Sequence, residues 1–379
     1  MRAATFLLVS LGFAASASAQ TPEDALTNAW LTACPGAAPG SAFAQRCAEI
    51  SAGGAGSRDA AAAGNFLEEI PGQGRSSTRD GAAERGELRE SIAANVALFL
   101  SVDGGRLDRR NSPNEAAFAG DTSSITAGID WAPVPAWLLG LALSHSNESL
   151  DYDESDGSAD GHYTGLIGYA SWNFQPGLSL DGYAGRLDGS NELRRAIDYT
   201  LLSGVHVSAL ATASPDSRRS LAGLGLNWTL PRGAWQWQFG GGLDWMKTSL
   251  DSYVESGGDG LALSVPDREV VTRRGRVDAT LARTVSTSWG VWQPQLKLGL
   301  RHEFANPARA LSVTFAGDGN DTPITFNTED PDSNWGEAAI GSVFTFTHGQ
   351  SGFVEYRQRF GHAFLQERVL ALGWRIELR

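Results

Sequence analysis

From about residue 95 to the C-terminus, apolar residues recur at every second position, and this alternation constrains the fold more than any other feature of the chain. Trp235, Trp237, Phe239, Gly241, Leu243 and Trp245 share one parity, whereas Gln236, Gln238, Gly240, Gly242 and Asp244 hold the other. In 292–304, Trp292, Leu296, Leu298, Leu300 and Phe304 oppose Gln293, Gln295, Lys297, Gly299, Arg301 and Glu303. The last stretch sets Leu370, Leu372, Trp374, Ile376 and Leu378 against Ala371, Gly373, Arg375 and Glu377. A period of two means a strand, because successive Cβ atoms point to opposite faces. About twelve such segments occur, near 95–108, 118–131, 137–152, 161–173, 177–190, 217–230, 234–250, 269–285, 289–304, 335–347, 351–360 and 366–378. Each reaches the ~9–11 residues that a tilted membrane strand needs, beyond the ~5–6 usual in soluble sheets.

The connections alternate as well. Short turns fall at 132–135, 175–177, 231–233, 286–288 and 348–350, and long polar loops near 109–117, 153–160, 191–216, 251–268 and 305–334. Short turns at one end and long loops at the other are the arrangement of an outer-membrane barrel, which a secreted two-sheet sandwich does not predict. Trp131, Trp172, Trp228, Trp235, Trp245, Trp289 and Trp335 gather toward strand ends, as an interfacial girdle requires. The chain is therefore expected to be all-β, a twelve-stranded antiparallel transmembrane barrel over 93–379 with its apolar parity facing lipid.

Residues 1–19 have the form of an export signal. Arg2 precedes an apolar stretch over 3–15, and Ala17-Ser18-Ala19 offers a small-x-small cleavage site between Ala19 and Gln20. No stretch reaches the ~20 apolar residues of a spanning helix. Residues 20–75 are instead helical in pattern. Thr21-Pro22 starts one helix with Leu26, Trp30 and Cys34 on a face, and a second begins near Ser41 with Phe43, Cys47 and Ile50. Cys34 and Cys47 are the only cysteines. In an exported chain they are expected to form a disulfide, with two buried free thiols as the alternative. Loop closure of this size stabilises by roughly 3 kcal/mol. Residues 76–92 could form a helix polar nearly all round, carrying Glu84, Arg85, Glu87, Arg89 and Glu90, or a solvated linker.

Acidic residues number 43 against 30 basic ones, a formal charge of −13, which argues against a nucleic-acid binder. No Gly-x-Ser-x-Gly or His-Glu-x-x-His motif occurs. His302 and Glu303 are adjacent in a strand and face opposite ways, so they form no dyad. Asp151-Tyr-Asp153-Glu-Ser155-Asp156-Gly157 and Asp318, Asn320 and Asp321 brush against calcium-loop spacing, but solvated loops explain them better. Catalytic, cofactor and metal sites are accordingly expected to be absent. Asp244, Arg274, Arg276, Asp278, Lys297, Arg301, Glu303, Glu355, Arg357, Arg359, Arg375 and Glu377 should line the interior. They would pair either with the charges of 84–90 or with one another across strands.

With those residues in view, the chain resembles the autotransporter (type V secretion) translocator domain over roughly 92–379. Ile125 to Trp131 followed by Leu138 to Ser146 looks like that family's second and third strands. Asp251 to Gly258 is similar to its extracellular loop, and Trp289 to Phe304 to its ninth strand. The resemblance implies twelve strands, a helix in the pore (here 76–92) and a passenger N-terminal to it (here the short segment 20–75). It also implies monomeric insertion into outer-membrane lipid by the barrel-assembly machinery with periplasmic chaperones. The chain departs from the family in ending on Leu378-Arg379 rather than an aromatic, and in lacking an Asn-Asn pair before the barrel. A closed structural or adhesin-type barrel with a periplasmic hairpin, a small porin and an outer-membrane hydrolase are the rival readings.

Overall fold

The computed structural model describes residues 30–51, 96–112, 117–152, 157–200, 204–304, 310–327, 332–347 and 349–378. The signal segment with its Ala19–Gln20 junction, and the stretch bearing Glu84, Arg85, Glu87, Arg89 and Glu90, lie outside the described residues.

Twelve long strands form the wall: β1 (Val96–Arg109), β2 (Phe118–Trp131), β3 (Trp137–Tyr152), β4 (Ser158–Gln175), β5 (Leu178–Thr200) and β6 (Asp216–Arg232), then β7 (Trp235–Leu250), β8 (Arg268–Arg283), β9 (Gly290–Glu303), β10 (Asn334–Phe346), β11 (Gln350–Phe360) and β12 (Leu365–Leu378). Each pairs antiparallel with its chain neighbour, and β12 returns to β1 in a continuous register from Val96↔Leu378 to Arg109↔Leu365. The sheet therefore closes on itself, a twelve-stranded antiparallel barrel. Among the described residues no helix is long and apolar enough to cross a membrane.

The alternation maps onto inside and outside. On β1, Leu98, Leu100 and Val102 are exposed while Ala97 and Phe99 are buried; on β9, Leu296, Leu298 and Leu300 are exposed while Arg301 and Glu303 are buried. At the short-turn end aromatic rings touch around the outer wall. Trp137 stacks on Trp172 at 5.5 Å, and Phe346 meets Trp289 and Trp374 at 5.3 Å. Rings with an apolar body and a polar edge suit the interfacial layer.

The wall and its loops hold more strand than the sequence alternation suggested. β5 continues past residue 190 to Thr200, pairing with the strand His206–Ala213. The period persists there, with Leu193, Arg195 and Ile197 buried, but the outward positions Glu192 and Arg194 are charged. Outward polar residues place this part of the wall beyond the lipid, which removes the apolar face that betrays a membrane strand. The loops expected at 251–268 and 305–334 likewise contain short strands: Tyr253–Val254, Leu263–Val265, Ala310–Phe315 and Ile324–Asn327 join as a four-stranded sheet.

An arginine at Leu298, midway along the apolar row of β9, would face hydrocarbon. Leu298→Arg is expected to lower the folding free energy by about 2–4 kcal/mol, measured by urea refolding into lipid vesicles.

Candidate functional site in the barrel interior and its cap

The interior side chains are charged and paired. Arg301 on β9 reaches Asp278 on β8 at 2.7 Å and Glu337 on β10 at 2.7 Å. Arg276 lies 3.3 Å from Asp278 and 3.8 Å from Asp244, and Tyr183 on β5 donates to Asp244 at 2.8 Å. Arg274 approaches Glu303 at 3.8 Å, and Arg359 bonds Glu367 at 2.6 Å; the two guanidiniums lie over Trp335 at 4.9 and 5.2 Å. Arg375 on β12 spans β1 to reach Asp130 on β2 at 3.1 Å and also touches Glu377 at 3.3 Å. Tyr169 on β4 donates to the same Asp130. Lys297 and Arg357 share the inward parity, and Glu355 is buried on it. His302 points outward, its Nδ1 2.9 Å from Asn334, on the opposite face from Glu303.

Absent side chains make room for these ions. A Cβ at Gly299 would stand 2.5 Å from both Asp278 Oδ1 and Arg301 Nη1, and one at Gly242 would stand 2.8 Å from Arg276 Nε. Asp130, Glu337, Glu367, Tyr169 and Tyr183 complete the network and were not singled out in the sequence. The signal was available in parity, since Asp130 sits between outward Ile129 and Trp131. Toward the short-turn end the interior opens into a cavity of about 590 Å³, lined among others by Pro135, Gln175, Asp181, Asn227, Arg276 and Lys297.

The long-loop end is packed rather than open. Arg195 on β5 donates to Glu255 at 2.9 Å and to the Leu261 carbonyl at 2.8 Å, while the Leu263 N–H donates to Glu255 at 2.8 Å. This fastens the β7–β8 loop inside the mouth. Tyr253 of that loop reaches the apolar cluster of Phe118, Leu150, Tyr152, Ala159 and Leu193 on β2–β5.

Onto this layer packs an N-terminal hairpin. Helix α1 (Ala42–Ser51) starts where the sequence placed it, with Ser41 Oγ accepting the Ala44 N–H at 3.1 Å. Cys34 and Cys47 form a disulfide with Cα atoms 5.5 Å apart. Trp30, Ala33, Phe43 and Cys47 enter one core with Ile197, Val207, Ala211, Leu261, Leu263, Val265, Val313, Phe315 and Ile324. Asp318 is spent on its own turn, accepting the N–H groups of Asn320 at 2.9 Å and Thr322 at 2.8 Å. Among the described residues no group of three or more His, Cys, Asp or Glu could hold a metal ion.

The sequence profile of the autotransporter beta-domain matches residues 98–357. The chain belongs to that autotransporter family. Three solved translocators share its fold. The translocator domain of the autotransporter NalP from Neisseria meningitidis is 13% identical, covers 79% of this chain and 95% of its own, and superposes with a TM-score of 0.61. The beta domain of the Bordetella autotransporter BrkA is 15% identical over 75% of this chain and 100% of its own, at 0.54. The transport unit of AIDA-I from Escherichia coli is 13% identical over 80% and 100%, at 0.50. No curated protein matches the chain. This autotransporter barrel thus resides in the bacterial outer membrane, where short turns face the periplasm and long loops the exterior.

Removing one member of the interior network should expose what the pairing contributes. Arg301→Ala removes the arginine shared by Asp278 and Glu337 and is expected to destabilise by about 3 kcal/mol, the low end for a buried pair because Arg276 still reaches Asp278. The double variant with Asp278→Asn should recover part of that loss in a refolding cycle. At Asp318, burial pushes the carboxyl up, but the bonds from Thr322 and Asn320 outweigh it and hold it below the ordinary carboxylate range. A lowered pKa stabilises fully above the unfolded value of ~3.9 and is lost as pH falls through the folded one. The hairpin should therefore stay protected from amide exchange between pH 7 and 5 and loosen only below about pH 4, whereas Asp318→Asn should loosen it throughout.

Proposed function

We propose that this outer-membrane translocator exports its own N-terminal segment and displays it at the cell surface. One observation carries the reading. The disulfide-closed hairpin sits among the loops that follow β5, β7 and β9, whereas β1 begins at Val96, opposite Trp131 and Leu378 at the short-turn end. Residues 52–95 are the covalent link between these two ends, which supports a single crossing of the membrane before the barrel begins.

A path through lipid is unfavourable for a stretch bearing Glu84, Arg85, Glu87, Arg89 and Glu90. The lumen is the polar alternative. A belt ~25 Å tall is crossed by about 17 residues of helix at 1.5 Å each, close to the extent of 76–92. Assigning those residues as the pore helix, and Asp244, Arg276, Asp278 and Lys297 as pore-lining partners near it, is part of this proposal. So are delivery by periplasmic chaperones, insertion by the barrel-assembly machinery, and a role without catalysis. The family supports the first two; for the last, the interior carboxylates Asp278, Glu303, Glu367 and Glu377 are engaged by arginines.

An epitope inserted after Gln20 is expected to bind antibody on intact cells. Protection until the outer membrane is opened would mean that the hairpin stays periplasmic, contradicting export.

A further inference from the structure

Export leaves open what becomes of the hairpin outside. We infer that residues 30–51 are a captive lid, latched over the outer mouth of the barrel, rather than a passenger that stands clear of it or is released. The inference rests on the export reading.

Among the described residues the hairpin has no core of its own. Trp30 and Phe43 turn toward the loops and meet Phe315, with ring centroids 6.3 and 5.1 Å away. Lifting the hairpin off would expose both rings together with Val313, Leu263 and Ile324, all nearly inaccessible in the docked state. So small a unit cannot bury enough surface to fold alone. The disulfide closes the hairpin covalently, and the loops complete its fold.

Polar contacts set the docking register. The Gly319 N–H donates to the Gly36 carbonyl at 3.0 Å, Ala37 bridges Asp318, and Arg46 lies 3.0 Å from Asp259. Shape is matched as closely. A Cβ at Gly36 would overlap Asp318 Oδ1, and one at Gly260 would stand 2.5 Å from the Ala42 carbonyl carbon. Three loops grip one hairpin, and one of them, the β7–β8 loop, is itself fastened inside the mouth through Arg195 and Glu255. The two layers lie over the exterior end, while the cavity lies toward the short-turn end.

The test uses the full chain, tagged after Gln20, on intact cells treated with external trypsin. Cleavage at Arg46 is mapped by mass spectrometry, and heat-modifiable gel mobility reports a folded barrel. With the tag accessible, wild-type Arg46 should resist cleavage, and Gly36→Val should be cut at least ten-fold faster with the barrel still folded. Phe43→Ala should behave likewise, and serves alone if Gly36→Val fails to assemble. Wild-type cleavage as fast as that of the variants, or recovery of the hairpin from the medium, would overturn the lid while leaving export intact. A tag reachable only after lysis would overturn export and the lid with it.

Discussion

A peptide group in hydrocarbon finds no water, so each strand in the membrane needs a partner on both sides. The β1–β12 seam supplies the last of these partners, and much else follows from it. Closure through an even number of strands puts both ends of the wall, Val96 and Leu378, at the same short-turn end. Any N-terminal segment found at the other end has then crossed the membrane separately. The position of the Cys34–Cys47 hairpin acquires its meaning from that constraint.

Closure also sorts the side chains. Every second residue faces lipid and must be apolar within the belt, and the others face a space shared by all twelve strands. Charges gather in that space because water and neighbouring ions solvate them there. They do so in chains, as where Arg301 joins Asp278 to Glu337 and Arg276 joins Asp278 to Asp244. The glycines beneath the guanidiniums keep the chains close to the wall. The cavity toward the short-turn end is lined by both polar and apolar side chains, Asp181, Asn227, Lys297 and Leu138 among them.

The strand order, the turn sidedness and the inward charges were legible because a lipid-facing belt writes its period into the sequence. Helix α1 was legible from Ser41 and the spacing of Phe43 and Cys47. Partners within the interior were not, since Arg375 meets Asp130 only through closure, across a seam joining the two ends of the chain. The end of β5 was hidden because Glu192 and Arg194 lie beyond the belt. The cap was missed for a related reason. Ala262-Leu-Ser-Val265 and Ala310-Leu-Ser-Val313 repeat one short alternating phrase, too brief to stand out inside polar loops. Only the fold brings Leu263 opposite Phe315 and sets Phe43 against Phe315.

Amide hydrogen exchange of the protein in lipid bilayers, resolved strand by strand, tests the closed wall most directly. A closed seam predicts that the central amides of β1 and β12, such as those of Leu100 and Trp374, exchange as slowly as those of β3 and β8. Fast exchange confined to β1 and β12 would mean an open edge, and the opposite placement of hairpin and barrel entrance would lose its foundation.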